Sequence, residues 1–380
     1  MGKTGIRLTS RVLSPSWLAI VTPLVAVAGG LLVGAVMLAL LGVSPAEAYA
    51  AMFQGAFGSL NAVADMLVKA TPLLLVAVGI CIAFRGGMLN IGGEGQLIAG
   101  ALAATATILS LPSSPSAVLI PLGLGLGFLA GAVWGAVPGL LKARLQVNEI
   151  LTTIMMNAIA VQGLNYLLRG PLMDPQQVLE GSFIPQTARF TTAADLPRLV
   201  PTRLHAGFLL AILVAILAWA LLWRTTIGFR IRAVGLNPFA SRRAGIRVSR
   251  YSVMAMILSG ALAGLAGAVQ VMGVNHRMFT DGSSAGFTGS AGFNGIVAAL
   301  FGQLHPLGAI PASIFFGGLI VGANAMQRAV QIPSAMITAL NGLLVIFVVS
   351  SDIWRRRMVQ RQQMAESARA LASAEQVAPP

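Results

Sequence analysis

Long uncharged apolar runs constrain this chain more than any other feature. The first covers residues 17–41, and none of its 25 residues is charged. A helix of that length is long enough to cross the roughly 30 Å hydrocarbon core of a bilayer at about 1.5 Å per residue. Water-soluble chains carry about a quarter charged residues, whereas this chain has 9%. A water-soluble enzyme is therefore excluded, and the chain belongs in a membrane.

Nine further apolar segments follow the first run. They cover residues 62–84, 88–110, 117–141, 150–168, 206–223, 251–273, 287–303, 306–326 and 332–350. We therefore predict an all-α polytopic membrane protein with about ten transmembrane helices. The transmembrane domain would cover residues 17–350, between an N-terminal segment of residues 1–16 and a tail of residues 351–380. Because the first run exceeds the roughly 7–15 apolar residues of a signal peptide, it is predicted to stay uncleaved.

The distribution of basic residues predicts the orientation, since Lys and Arg accumulate in cytoplasmic loops. With a cytoplasmic N-terminus, 17 of the 25 basic residues fall on the cytoplasmic side, among them Lys3, Arg7 and Arg11. Residues 224–250, called here the arginine loop, hold seven Arg and no acidic residue. Both termini are therefore predicted to be cytoplasmic, and the net charge of +14 needs no nucleic acid.

Catalytic and cofactor-binding patterns are weak in this sequence. One cysteine, Cys81, and three scattered histidines do not make a metal site by themselves. Residues 282–286 match the G-x-S-x-G pattern of hydrolases, but no strand precedes them. The complete P-loop pattern is absent. We expect no cofactor and no catalytic role, so any ATP hydrolysis must occur in another chain.

One apolar segment carries five glycines at strict four-residue spacing. They are Gly123, Gly127, Gly131, Gly135 and Gly139. Residues four apart lie on one face of a helix, so this face offers a groove in which a second helix can approach at backbone distance. The pattern predicts helix packing within a bundle of many helices.

Two glycine-rich polar strings interrupt the apolar segments, RGGMLNIGGEGQ at residues 85–96 and GFTGSAGFNG at residues 286–295. Within a bilayer, non-helical backbone is tolerated only where it is buried in protein or lines a wet cavity. Broken helices are a common way to build a transport site. We therefore predict a substrate pathway that both strings line, with candidate residues Arg85, Asn90, Glu94, Gln96, Phe293 and Asn294.

The sequence leaves two interpretations of Arg85 open. Charges inside a bilayer cost roughly 2.5–3.5 kcal/mol on insertion scales, so Arg85 and Glu94 are expected to be paired, hydrated or at a boundary. In the first interpretation, Arg85 pairs with an acid or lines the pathway. In the second, it lies at the cytoplasmic interface and caps a helix end.

The arginine loop contains the signals of a short helix. Asn237 is a capping residue, Pro238 suits the first helical position, and Gly245 suits the position after the last turn. The helix is too short to span a membrane and too basic to bury. It can either lie on the membrane surface or dock into a groove of a partner.

Three strings resemble one family of proteins. The first covers residues 71–96, from TP at residues 71–72 to NIGGEGQ at residues 90–96. The others are VNEILTT at residues 147–153 and RAVGLNP at residues 232–238. They resemble the permease subunits of bacterial ABC importers in the branched-chain amino acid and ribose permease superfamily. The string NIGGEGQ is most similar to the nucleoside importer branch. The resemblance covers roughly residues 40–350.

This resemblance implies an alternating-access pore in the bacterial plasma membrane. Two permease subunits would share the pore, a separate dimeric ATPase would drive it, and a substrate-binding lipoprotein would supply it from outside. The second permease would be a paralogue or another copy of this chain. The short helix then becomes the coupling helix that contacts the ATPase, with the residues Gly235, Asn237, Pro238, Phe239, Arg242, Arg243 and Gly245.

Other functions stay open at this point. A permease of the same superfamily for simple sugars or branched-chain amino acids is the first alternative. A stand-alone ion-coupled carrier is the second, although such a carrier needs paired intramembrane carboxylates. The sequence offers only Glu94 and, near span ends, Glu149 and Asp65.

Overall fold

The computed structural model describes residues 16–182, 184–333 and single residues between 336 and 364. The basic N-terminus, the tail and most of the predicted last span lie outside the described residues. The chain divides into two units, one of Ala46–Pro333 and one of Met1–Pro45 with Ser334–Pro380. In the second of these units, Gly29 lies against the ring of Phe347.

The described chain is helical. Its helices are α1 (Ser16–Leu40), α2 (Pro45–Phe57), α3 (Leu60–Arg85), α4 (Gly93–Ser110), α5 (Ser116–Leu145), α6 (Glu149–Leu168), α7 (Pro175–Leu179), α8 (Gly207–Arg224), α9 (Thr226–Leu236), α10 (Pro238–Arg243), α11 (Val248–Gln270), α12 (Ser284–Thr288), α13 (Ala291–Phe301) and α14 (Pro306–Val330). One turn of π-helix, Val271–Asn275, continues α11. Among the residues described, β-structure is limited to two isolated bridges.

Six of the described helices are long and apolar enough to cross a membrane, namely α3, α5, α6, α8, α11 with its π-turn, and α14. Two apolar helical segments are shorter, Val27–Leu40 and Ala291–Phe301. The prediction of an all-α, multi-pass membrane protein is therefore confirmed. The number of ten spans stays a prediction.

Helices α3 and α11 form the centre of the larger unit, and both are buried over most of their length. Leu73, Leu74 and Leu75 point in successive directions around α3, yet all three are buried. A helix that is apolar and buried all round needs protein on every side. For α3, that protein is α8, α11, α13 and α14.

The five glycines of α5 lie against α11. A Cβ atom at Gly131 would overlap the carbonyl oxygen of Gly260 and lie 2.6 Å from the Cα of Gly264. Gly135 faces Gly260 in the same way, and Gly127 faces the carbonyl oxygen of Gly264. The two helices therefore approach at backbone distance along these positions, and contact of this kind replaces the hydrophobic driving force that is missing between helices in lipid.

The two ends of the larger unit carry different loops. At one end, called here the loop end, the arginine loop lies beside the turn after α3, and Lys142 forms a 3.0 Å salt bridge with Glu149. At the opposite end, residues 185–198 pair with the segment after α11. The backbone N–H groups of Thr187, Phe190 and Leu196 donate there to the carbonyl oxygens of Met278, His276 and Met272.

We predict that Gly131→Ala destabilises the bundle, because backbone rather than a flexible side chain occupies the space that its methyl group would need. Overpacking of this kind typically costs about 1–3 kcal/mol. The measurement is the thermal unfolding temperature of the purified protein in detergent. Gly125→Ala is the matched control, since it lies in the same helix and a Cβ atom there meets nothing within 4 Å. Equal unfolding temperatures for the two variants would contradict the packing argument.

Candidate functional site

The first interruption covers residues 86–92, between α3 and α4, and is shorter than the predicted string because Gly93 to Gln96 are helical. Side chains replace the missing helical hydrogen bonds. The Asn90 Oδ1 accepts from the N–H of Gly92 at 2.9 Å. The Asn157 amide of α6 accepts from the N–H of Gly95 at 2.8 Å and donates to the carbonyl of Ile91 at 2.9 Å. The open backbone is thus satisfied inside the protein.

Asn90 and Gln96 form a buried amide pair. The Asn90 Nδ2 donates to the Gln96 Oε1 at 2.9 Å, and the Gln96 Nε2 donates back to the Asn90 Oδ1 at 3.1 Å. Asn90 also donates to the Ser259 hydroxyl of α11 at 2.8 Å. Because these amides bond to each other and are almost completely buried, their contacts hold α4 to α11. Their place on a solute pathway stays a prediction.

The second interruption consists of Gly289 and Ser290, which separate α12 from α13 and both adopt left-handed backbone conformations. Asn294 and Phe293, predicted to lie in an interruption, are helical residues of α13. The structure brings the two interruptions together. The Glu94 Oε1 accepts from the backbone N–H of Phe293 at 3.2 Å, and Gly93 lies against the backbone of Gly292. The carboxylate therefore sits at the positive end of the α13 dipole.

Arg85 lies at the other end of α13. Its Nε donates to the carbonyl oxygen of Leu304 at 3.0 Å, and its Nη2 donates to that of Gln303 at 3.2 Å. The guanidinium also lies over the ring of Trp223. This geometry agrees with the helix-end interpretation of Arg85. Arg85 and Glu94 flank the first interruption, and they bind opposite ends of the same short helix.

We predict that Arg85→Met lowers stability by about 2 kcal/mol, because hydrogen bonds from a charged donor are worth about 1.5–3 kcal/mol. Arg85→Lys should lose less stability, because lysine keeps the positive charge although it lacks the planar guanidinium that donates to two carbonyl oxygens at once. The unfolding temperature in detergent measures both effects. Arg144→Met removes an exposed arginine at the end of α5 and should change little. An Arg85→Met variant as stable as the Arg144→Met control would contradict this role.

A cavity of about 320 Å³ lies at the second interruption, enclosed by α3, the π-turn, α12 and α14. We call it the amide cavity, after its polar side chains. Those side chains are Lys69, Gln270, Asn275, Thr288 and Asn324, and two rings, Phe279 and Phe287, complete the wall. None of the six residues predicted to line the pathway is among its lining residues.

A second cavity of about 220 Å³, the arginine cavity, adjoins the first and shares Val68, Val274 and Asn275 with it. It is lined by four arginines and one histidine, namely Arg189, Arg198, Arg203, Arg277 and His276. His276 bonds to the carboxylate of Asp195, with 2.6 Å between the Nδ1 and an Oδ1. The two cavities together form a polar recess at the end of the unit opposite the arginine loop.

His205 supports the wall of this recess. Its Nδ1 accepts from the N–H of Gly207 at 3.2 Å, at the start of α8, and its ring packs against Gly273 of the π-turn. Burial, with a smaller contribution from the nearby His276, lowers the pKa of His205 to about 4. The ring is therefore neutral at pH 7, as its role as an acceptor requires.

We predict that stability falls as the pH is lowered from 6.5 towards 4. In that window the unfolded chain binds a proton at His205 that the folded chain does not, so acid favours unfolding by up to about 3 kcal/mol. The unfolding temperature at pH 7.5 and pH 5.0 measures the effect. His205→Gln should reduce the difference between the two pH values. An unchanged difference would show that another group carries the pH dependence.

The arginine loop forms two helices, α9 and α10. The predicted short helix is confirmed as α10: the Asn237 Oδ1 accepts from the N–H of Ala240 at 3.0 Å, Pro238 is the first residue, and Gly245 has a positive φ of 78°. Phe239 is 77% exposed. Gly235 lies against the carbonyl of Arg85 and the N–H of Gly87. The arginine loop therefore contacts the first interruption directly.

The structure thus groups the predicted residues in two places. Arg85 and Gly235 lie at the loop end, whereas Glu94 lies at the start of α13, where Phe293 is 45% exposed. Sequence reasoning missed the amide cavity. The available signals were Lys69, an ionisable residue in an apolar span, and Asn324, an amide on an apolar helix.

A multi-pass bundle in which two helix interruptions meet in the interior defines a membrane transport subunit. Residues 62–349 match the family of the permease component of the branched-chain amino acid transport system, and the chain belongs to this family. It is similar to the guanosine ABC transporter permease protein NupP of Bacillus subtilis, with 36% identity over 87% of this chain and 93% of that protein.

Two further relatives match over most of their length. The glucose ABC transporter permease protein TsgB13 of Haloferax volcanii is 34% identical over 93% of each chain. The nucleoside ABC transporter permease protein NupB of Lactococcus lactis subsp. cremoris is 32% identical over 87% of this chain and 90% of that protein. No solved structure matches this chain.

Proposed function

We propose that this chain is the transmembrane permease subunit of an ATP-binding-cassette importer that moves nucleosides inward. The assignment of nucleosides as the substrate rests on the similarity to guanosine and nucleoside permeases over 87% of the chain. The residues of the proposed pathway are Arg85, Asn90, Glu94, Gln96, Phe293 and Asn294, which lie in or beside the two interruptions. The chain supplies no catalysis, and a separate ATPase supplies the energy.

We place the protein in the plasma membrane with ten spans and both termini in the cytoplasm. The charge of the arginine loop supports this orientation, since positive residues stay on the cytoplasmic side. The loop end then faces the ATPase. The polar recess faces the outside, where a substrate-binding lipoprotein would deliver solute. A second permease, either a paralogue or another copy, completes the pore.

Helix α10 is the proposed coupling helix. Its exposed Phe239 lies beside two exposed arginines, Arg242 and Arg243, on a surface that can press into a partner. Movement of α10 would reach the first interruption through Gly235, which contacts Arg85 and Gly87. Arg85 and Glu94 then hold the two ends of α13. Through these successive contacts, a movement of the ATPase would be transmitted to both interruptions.

The proposal is tested on the complex purified by a tag on this chain and reconstituted in proteoliposomes. Guanosine, inosine, adenosine and cytidine should stimulate ATP hydrolysis and enter the liposomes when ATP and the binding protein are present. Glucose and leucine should do neither. If no nucleoside stimulates ATP hydrolysis or enters the liposomes, the substrate assignment is wrong. Transport in the absence of an ATPase would show that ATP hydrolysis does not drive the permease.

We predict that Phe239→Asp abolishes nucleoside transport while membrane insertion and abundance stay normal. The reason is that an exposed ring has no packing to lose within this chain, whereas a carboxylate in its place opposes docking. Phe239→Leu is the matched control, because it keeps an apolar side chain and should keep most of the transport. Normal coupling in the Phe239→Asp variant would show that α10 does not contact the ATPase.

A sugar permease is the second candidate, and the similarity to the glucose permease TsgB13 over 93% of the chain favours it. The same liposome assay separates the two functions, since a sugar permease would respond to glucose and not to nucleosides. A stand-alone ion-coupled carrier has less support, because the lining of the amide cavity includes no carboxylate to carry a coupling ion.

A further inference from the structure

The amide cavity differs from the rest of the polar interior in the state of its side chains. The amides of the first interruption bond to each other and to backbone groups. By contrast, no hydrogen bond within the described part of the chain involves the side chains of Asn275, which is half-buried, or of Asn324 and Lys69, which are exposed where they line the cavity. The Gln270 Nε2 donates a hydrogen bond to the carbonyl oxygen of Phe287 at 2.5 Å, whereas the Gln270 Oε1 accepts none within the described residues. The cavity therefore presents free donors and acceptors.

Lys69 gives this cavity a single cationic group. It lies in α3 three residues before Pro72, and its side chain lines the cavity while being exposed at the surface of this unit. An ionisable residue within an apolar span is commonly functional or paired. The described residues include no carboxylate within salt-bridge distance of its ammonium group, although Asp65 and Arg203 act on it over longer distances. An ammonium group donates hydrogen bonds but cannot accept them. A ligand must therefore present an acceptor to it.

The volume and the rings restrict the ligand further. A cavity of about 320 Å³ lies at the lower end of the range for small-molecule sites, about 300–1,000 Å³, which suits one nucleoside or a sugar. Phe279 and Phe287 lie with their centroids 6.1 Å apart in an edge-to-face arrangement. Phe287 is buried, at 2% exposure, and packs against the half-buried Phe279. The ring of Phe279 can therefore stack on a nucleobase. Among side chains that bind base edges, Lys and Arg donate to the keto oxygen of guanine, and Asn and Gln amides donate to and accept from adenine.

The cavity adjoins the arginine cavity, and its wall includes the π-turn and part of the second interruption. It shares Val68, Val274 and Asn275 with the arginine cavity at the end of the unit opposite the arginine loop. Two of these residues belong to the π-turn, a geometry that is rare and frequent at functional sites. Gly289 of the second interruption forms part of the opposite wall. Movement at this interruption would change the shape of the cavity.

From these observations we propose that the amide cavity is a transient binding site for a nucleoside with a keto-bearing purine, in which Lys69 donates to the keto oxygen of the base. This inference rests on the proposed function and adds a selective site within the permease. Guanine and hypoxanthine present a keto oxygen at the six position, whereas adenine presents an amino donor there. The permease then contributes to selectivity in addition to the binding protein.

The test compares transport rates at saturating liganded binding protein, in the reconstituted complex, for guanosine and adenosine. Lys69→Met keeps the length of the side chain but removes the donor. It should slow guanosine transport about tenfold or more, because a hydrogen bond from a charged donor is lost, and slow adenosine transport much less. Lys69→Arg should restore part of the guanosine rate. Asn61→Leu, an exposed amide of the same helix outside both cavities, is the control.

A direct readout uses 8-azidoguanosine as a photoreactive probe. Mass spectrometry should find the label on residues 69–73 or 270–289, with protection by excess guanosine and a reduced yield in Lys69→Met. If Lys69→Met slows guanosine and adenosine transport equally, the proposed binding site is wrong. Labelling only outside residues 69–73 and 270–289 would have the same meaning. Either result leaves nucleoside transport by the unmodified complex intact. If the unmodified complex transports no nucleoside, the proposed function fails instead, and the two failures are distinguishable.

Discussion

The first interruption depends on amide side chains that take the place of missing backbone hydrogen bonds. Seven residues leave the helical path between α3 and α4, and lipid offers their N–H and C=O groups no partner. Asn90 and Asn157 bond to the groups of Ile91, Gly92 and Gly95. Without these bonds, each exposed backbone group would cost several kcal/mol in hydrocarbon. Through these bonds and that of Asn90 to Ser259, the turn between α3 and α4 is held to α6 and α11.

The turn also explains how distant parts of the unit are connected. Arg85 precedes it and Glu94 follows it, so a short stretch of chain contacts both ends of α13. The carboxyl group of Glu94 lies near the N-terminus of α13, where it accepts a backbone hydrogen bond, and the guanidinium of Arg85 lies near the C-terminus, where the helix dipole favours a cation. Gly235 of the arginine loop touches the same turn. A displacement of the loop therefore has a short route of packed contacts to the helix beside the amide cavity.

The interior divides its polar groups between two roles. Asn90, Gln96 and Ser259 are buried and bonded to one another, which makes them structural links between helices. Lys69, Asn275 and Asn324 line the amide cavity, where Lys69 and Asn324 are exposed and Asn275 is half-buried, so their donors and acceptors are open to a solute. This division separates polar side chains that bond to one another inside the bundle from polar side chains whose donors and acceptors are open. Residue type alone does not distinguish them, since both groups contain asparagine.

The sequence alone determined the membrane class and the short helix α10, because each depends on local composition or local chemistry. It predicted both interruptions longer than they are, since residues 93–96, Phe293 and Asn294 are helical. Uncharged runs of about 20 residues favour lipid, and Asn237 followed by Pro238 favours the start of a helix, with Asn at the cap and Pro at the first position. Only the tertiary structure decided that Arg85 binds the turn after α13, that the five glycines of α5 face α11, and that Lys69 and Asn324 share a cavity. These contacts join residues that are far apart in the chain. Their partners are fixed by how the helices pack, which local patterns do not encode.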